Sequence, residues 1–256
     1  MKTHKFALAF SALALAAASF SANAQSFSNT AQILNQDNSS ANPYPSEIAV
    51  SGLTGNITNV SVTLNGMSNS WYGDLNVLLV APGGQKIALM QRVGTTSPDS
   101  GVGCGSDFTS ATVTFDTAAA TDLSACPNVS GTTTYLPTIG VRQTDSFAPA
   151  PVGPYSDDLT TLNGAAAGQN GTWRLYLSDH AADDTGQIAG GWVLNFTTDA
   201  PTTTCASEGY TGTKLSWCQN ICEKGYIGAT LDSWIHRWVS RYRDLPYCAA
   251  PASPPV

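Results

Sequence analysis

Between Ser46 and Thr198 apolar residues recur at every second position, a periodicity that commits this stretch to sheet. Val60, Val62 and Leu64 alternate with Ser61 and Thr63; Trp173, Leu175 and Leu177 with Arg174 and Tyr176; Trp192, Leu194 and Phe196 with Val193 and Asn195. Neighbouring side chains on a strand face opposite ways, so each run is a strand with one face in a core. Leu75 to Val80 is apolar almost throughout, which predicts a central strand covered on both faces. In Ala81-Pro82-Gly83-Gly84, Pro second and Gly third predict a type II turn, with Gln85 to Met90 as the returning strand. No helical period of useful length precedes residue 200, so residues 46–199 are expected to be all-β, a jelly-roll β-sandwich. The stretch Thr117 to Leu159, rich in Ala, Thr and Pro, reads as long surface loops.

The two ends read differently. Lys2, His4 and Lys5 precede an apolar run from Phe6 to Ala18, and Ala22-Asn23-Ala24 supplies a small-x-small cleavage pattern. Residues 1–24 are therefore expected to be a secretory signal, with a soluble mature chain starting at Gln25, secreted or periplasmic. The apolar run falls short of the ~20 residues of a spanning helix. Residues 25–45, rich in Asn and Ser, read as a polar N-terminal arm, and residues 200–204 as a linker. Beyond the linker the period changes: Leu231, Trp234, Ile235, Trp238, Val239 and Tyr242 share one helical face. The weak repeat Gly209-Tyr210-Thr211-Gly212 and Gly225-Tyr226-Ile227-Gly228 predicts two helices, from about Thr213 and Ala229, hinged at Gly225. Residues 205–256 thus read as a small helical module that needs staples to fold.

Staples are available. Cys104 and Cys126 lie in the β region, and Cys205, Cys218, Cys222 and Cys248 in the tail. Even counts in each region of an exported chain point to disulfides. Cys104–Cys126 follows if the regions do not cross-pair, whereas the tail admits three pairings; a zinc site is the rival for its four thiols. Residues 25–200 carry 4 basic and 14 acidic groups, 13 of the latter Asp. Such an acidic body excludes nucleic acid and anionic membrane as partners.

Chemistry-bearing residues are sparse. The mature chain has two His, His180 in an acidic loop and His236 on the polar face of the last helix, both expected to be solvent-exposed. Ser is plentiful, but no Gly-x-Ser-x-Gly elbow occurs and no spacing selects a pair of carboxylates, so no catalytic residue is assigned. The aspartates say more. Asp179, Asp183 and Asp184 crowd one loop before Gly186, and Asp oxygens so spaced can wrap a hard cation such as Ca2+. Asp74 and Asp116 could approach from neighbouring loops, and Asp99 and Asp107 lie near Cys104; the bland alternative is a solvated turn.

The ordered series Ile57 to Gly66, Tyr72 to Gly84, Val113 to Asp116, Leu162 to Gly164, Gly171 to Asp179, Asp184 to Ile188 and Gly191 to Phe196 resembles the P domain. This jelly-roll module follows the catalytic domain in kexin- and furin-like proprotein convertases and in bacterial secreted subtilisins. The resemblance covers about residues 46–198 and departs at Asn69, where the family often has His. Only the non-catalytic module is matched, so the family's protease activity does not carry over. The resemblance implies an interaction or stabilising role linked to extracellular proteolysis, with an extracellular protein or protease as partner. A hydrolase built on His180 with nearby Ser and Asp is a second expectation. A glycan-binding jelly roll, with Trp71 and Tyr72 as an exposed platform, is a third.

Overall fold

The computed structural model describes residues 23–97, 103–143, 145–199 and 204–248, with 225, 227, 243 and 247 excepted. Most of the expected signal, Asp99 and the hinge at Gly225 lie outside the described residues. The chain divides into two compact units at Ala200/Pro201.

The first unit is mostly β, in two sheets. Its axis is β4 (Asn56–Asn69), preceded by β1 (Asn23–Asn29), β2 (Ile33–Asn35) and β3 (Ser46–Val50). Next come β5 (Leu75–Val80), β6 (Lys86–Gln91), β7 (Phe108–Phe115), β8 (Val129–Tyr135) and β9 (Thr138–Ile139). They are followed by β10 (Gly164–Ala165), β11 (Gly171–Asp179), β12 (Gly186–Ile188) and β13 (Trp192–Thr198). One sheet runs β1-β13-β4-β12-β2, with β7, β8 and β10 also attached; the other runs β3-β11-β5-β6-β9. Val62, Leu64, Leu194 and Phe196 of the first sheet and Val77, Leu79, Leu175 and Leu177 of the second belong to one buried core. Each such side chain contributes about 1.5–3 kcal/mol by leaving water. Two tryptophans tie the sheets together. The Trp173 ring on β11 meets Phe196 on β13 edge-on at 5.5 Å, and Trp192 Nε1 on β13 donates to Ser46 Oγ on β3 at 3.0 Å. As the apolar run predicts, β5 is covered on both faces: Leu78 and Tyr176 enter a second cluster beneath Ala150, Tyr44 and Tyr155.

Three expectations are corrected. Residues 25–45 are not a loose arm: β1 pairs with β13 from Asn23↔Thr198 to Asn29↔Trp192, and β2 pairs with β12. Phe27 on β1 stacks edge-on against Phe196, an alternation too short and polar to stand out. The stretch after residue 117 contains β8 and β9, whose Thr-rich pattern hides a strand paired on one side only. In the hairpin after β5 the left-handed residue is Gly84 (φ 86°), not Gly83. Gly84 N–H bonds Ala81 O at 2.9 Å and Ala81 N–H bonds Gln85 O at 3.0 Å, a three-residue loop of type I plus bulge.

The second unit contains α1 (Gly212–Cys222) and α2 (Gly228–Tyr242), close to the helices read from the repeat. The open pairings resolve as Cys205–Cys218 and Cys222–Cys248, beside Cys104–Cys126 in the β unit. The sulfurs of Cys205, Cys218 and Cys222 do lie within 4.8 Å of one another, but disulfide bonding removes them as zinc ligands. Trp238 is fully buried, with Trp217, Trp234 and Tyr242 packed around it, while Val239 is 38% exposed. No helix among the described residues is long and apolar enough to cross a membrane.

Candidate functional site

One end of the second sheet gathers an unusual number of buried polar groups. Asp74 closes a 3-10 turn, Tyr72–Asp74, just before β5. A Cβ on Gly73 would collide with Cys104 N, so only glycine lets this turn press against the disulfide-bearing segment. Gly73 N–H bonds Cys104 O there at 3.0 Å. Asp179 ends β11 opposite Leu75, and the His180 N–H bonds Asp74 O at 3.0 Å, which brings both aspartates to the same end.

The burial is extreme for charged groups. Asp74 is 4% exposed, Arg92 2% and Asp179 0%. Arg92 Nη1 lies 3.1 Å from Asp74 Oδ1. Asp179 accepts from Ala181 N–H at 3.0 Å and from Asn35 Nδ2 at 3.1 Å, and Asn35 Nδ2 also donates to Asn69 Oδ1 at 2.8 Å. Asn35 Oδ1, in a residue 5% exposed, has no hydrogen-bond partner. At the rim Ser70 Oγ donates to Asp184 Oδ1 at 2.6 Å. Burial raises the Asp74 pKa, with Arg92 opposing it, and pushes Asp179 up to about 6, with Asp74 and Asp184 adding to the rise. Arg92 and Arg142 both attract the Asp74 carboxylate, yet burial outweighs them and its pKa stays raised.

Of the five aspartates read as ligands, the fold brings Asp74, Asp179 and Asp184 into mutual electrostatic contact. Asp183 is exposed, with a left-handed backbone (φ 79°). Asp116 does not join them. It accepts from Asn59 Nδ2 and from Ala118 N–H, and Asn59 lies ten residues from Asn69 along β4, roughly 33 Å at strand spacing. Among the described residues no three carboxylates bring oxygens within 4.8 Å of one another. Asn35 offers a buried carbonyl oxygen without a partner while its amide nitrogen bonds the buried Asp179 carboxylate, and oxygen donors of this type are what a hard cation takes. Asn35, Asn69, Ser70 and Arg92 carried no ligand signal in sequence. Arg92 had one clue, being one of only 4 basic residues in residues 25–200.

Beside this cluster His180 is not solvent-exposed. It stacks on Phe147 with ring centroids 4.4 Å apart, and its Nε2 meets Ser178 Oγ at 3.0 Å and Asn76 Nδ2 at 3.2 Å. Burial pushes its pKa down to about 4, helped by Arg92 and Arg142. Ser178 is 0% exposed, so no substrate carbonyl reaches its Oγ. The glycan platform fails differently: Trp71 is 40% exposed but Tyr72 is fully buried. His236 is exposed, as expected.

Asp179 and His180 titrate with opposite effects on stability. The folded state holds the Asp179 proton more tightly than an ordinary carboxyl of 3.8, so stability falls as pH rises from there to about 6. His180 holds its proton less tightly folded than unfolded, so stability rises as pH climbs from about 4 to 6.5. The two slopes largely cancel between about pH 4 and 6. Read as differences from wild type, His180→Gln should melt higher as pH falls through this window, and Asp179→Asn lower. Each divergence should amount to roughly 2–3 kcal/mol by the lower edge. Parallel curves for both variants would mean that neither group is held as described.

Comparison with family models, curated proteins and solved structures returned no match.

Proposed function

We propose that this chain is a secreted, non-catalytic module of P-domain type, a calcium-supported jelly roll that binds or stabilises a partner in extracellular proteolysis. The observation carrying the reading is the buried acidic cluster of Asp74 and Asp179 beside the unpartnered Asn35 Oδ1, since calcium takes six to eight oxygen ligands of this kind. In this reading Asn35, Asp74, Asp179 and Asp184 hold the ion, which supplies compensating charge at that end of the sheet. Further support comes from the coincidence of the P-domain-like segments with β4, β5, β7, β11, β12 and β13 of the two sheets. Three disulfides agree with an extracellular setting. The hydrolase reading gains the Ser178–His180 hydrogen bond but lacks access to the hydroxyl.

Calcium at a hundredfold excess over its Kd should stabilise the protein by ~2.7 kcal/mol, raising the melting temperature by roughly 5–10 °C relative to chelator. Magnesium should do less, because it demands stricter octahedral geometry. Asp179→Asn combined with Asp184→Asn should remove most of the shift, and Asp116→Asn should leave it intact. Immobilised wild-type protein should retain a secreted subtilisin-class protease from culture supernatant in calcium and release it in chelator. Identical wild-type melting curves with calcium and chelator would dispose of the ion, and failure to retain a protease would dispose of the proteolytic link.

A further inference from the structure

We propose that Tyr210, Trp238 and Tyr242 of the helical unit form an aromatic cage for an alkylammonium group, occupied in the resting protein by the chain's own Lys214. Lys214 Nζ lies 4.7 Å from the Tyr210 ring centroid, 5.2 Å from Tyr242 and 5.5 Å from Trp238. All three distances fall within the ~6 Å over which a ring face attracts a cation. The walls are contiguous: Tyr210 meets Trp238 at 5.5 Å and Trp238 meets Tyr242 at 4.9 Å, both at steep angles. Lys214 Nζ sits over each of these three inclined rings.

The walls are anchored by the helix and by backbone hydrogen bonds. Trp238 and Tyr242 are four residues apart on α2, on one helical face. Trp238 is fully buried and its Nε1 donates to Asp244 O at 2.6 Å. Tyr210 is held by its N–H bond to Cys205 O, in the loop closed by Cys205–Cys218. Lys214 instead reaches the cage from the first turn of α1 on a flexible stem, 32% exposed, with Asp244 at 3.8 Å as its ion-pair partner. That carboxylate is 62% exposed and contributes little in water, so the rings supply most of the attraction. Among the described residues, Arg237 lies over Trp234, and Arg241 over Trp217 and Tyr242.

A tethered occupant competes with any free ligand at an effective concentration of order millimolar or higher. Removing it therefore raises the affinity for a free ammonium of the same shape. The Lys214→Ala variant of the full mature chain should bind propylammonium, which supplies the atoms that the substitution removes, at least about tenfold more tightly than wild type. Tyr210→Ala added to Lys214→Ala should abolish that binding, and sodium at equal ionic strength should produce no effect. In the wild type the Lys214 ε-methylene proton resonances should be shifted upfield by the rings, and should return toward the free-lysine value as tetramethylammonium is titrated in. The wild-type measurement decides the matter if Lys214→Ala fails to fold. Unshifted ε-methylene resonances, or a folded Lys214→Ala protein that binds propylammonium no better than wild type, would overturn the proposal. The inference is independent of the function proposed for the β unit.

Discussion

Replacing Arg92 with methionine should cost roughly 3–5 kcal/mol near pH 7.5, the usual penalty for removing one partner of a buried ion pair. The guanidinium is 2% exposed and 3.1 Å from Asp74, so its loss takes the paired charge from Asp74 and leaves it the attraction of Arg142. Burial already works against both charges of the pair, and their attraction only partly offsets it. The penalty should therefore shrink below about pH 5, where Asp179, titrating at about 6, is neutral. Asp74→Asn in the Arg92→Met background should restore part of the loss, because a neutral amide is cheaper to bury than an unpaired carboxylate. Calcium should restore more, by supplying the missing positive charge. Urea denaturation of the three proteins with and without calcium measures each quantity. An Arg92→Met loss below ~0.5 kcal/mol would show that Arg92 does not neutralise this end of the sheet.

Trp173→Ala should lower stability by a similar amount, roughly 3–5 kcal/mol. Its indole is 0% exposed, donates from Nε1 to Gln169 O at 2.9 Å, and meets Phe196 across the two sheets. Truncation opens a cavity between layers that strand hydrogen bonds hold in place, so the site cannot collapse to fill it. Trp173→Phe keeps a six-membered ring against Phe196 but loses the pyrrole ring's volume and its donor, leaving the buried Gln169 carbonyl without that partner. Its cost should be about 1–3 kcal/mol. Guanidinium melts of the β unit monitored by far-UV circular dichroism separate the two variants. Equal losses would place the stabilisation in the pyrrole ring and its hydrogen bond rather than in the contact with Phe196.

The alternation of Trp173, Leu175 and Leu177, and of Trp192, Leu194 and Phe196, was enough to specify strands with one buried face, because side-chain direction on a strand has period two whatever it packs against. The helical period of Leu231, Trp234, Ile235 and Trp238 and the even cysteine counts were legible for the same reason: both are local or countable. Polar strands were not. Residues 23–35 become β1 and β2 only because β13 and β12 offer them free edges, a property of the partner strands. The hairpin type was likewise misread, since which of two adjacent glycines turns left-handed depends on the strand register it must close.

The candidate site divides along the same line. Sequence could mark Asp74, Asp179 and Asp184 as carboxylates in turns, because Asp in Gly-bearing segments is a local signal. It could not separate them from Asp116, which shares the same composition but belongs to the far end of β4. Nor could it place Arg92 and Asn35 beside them, although it already set His180 next to Asp179. Those neighbours come from residues 18 to 144 positions apart along the β unit, as with Arg92 and Asp74 or Asn35 and Asp179. Charge compensation and orphaned oxygens depend on distance in space, and only the packing of two sheets sets that distance.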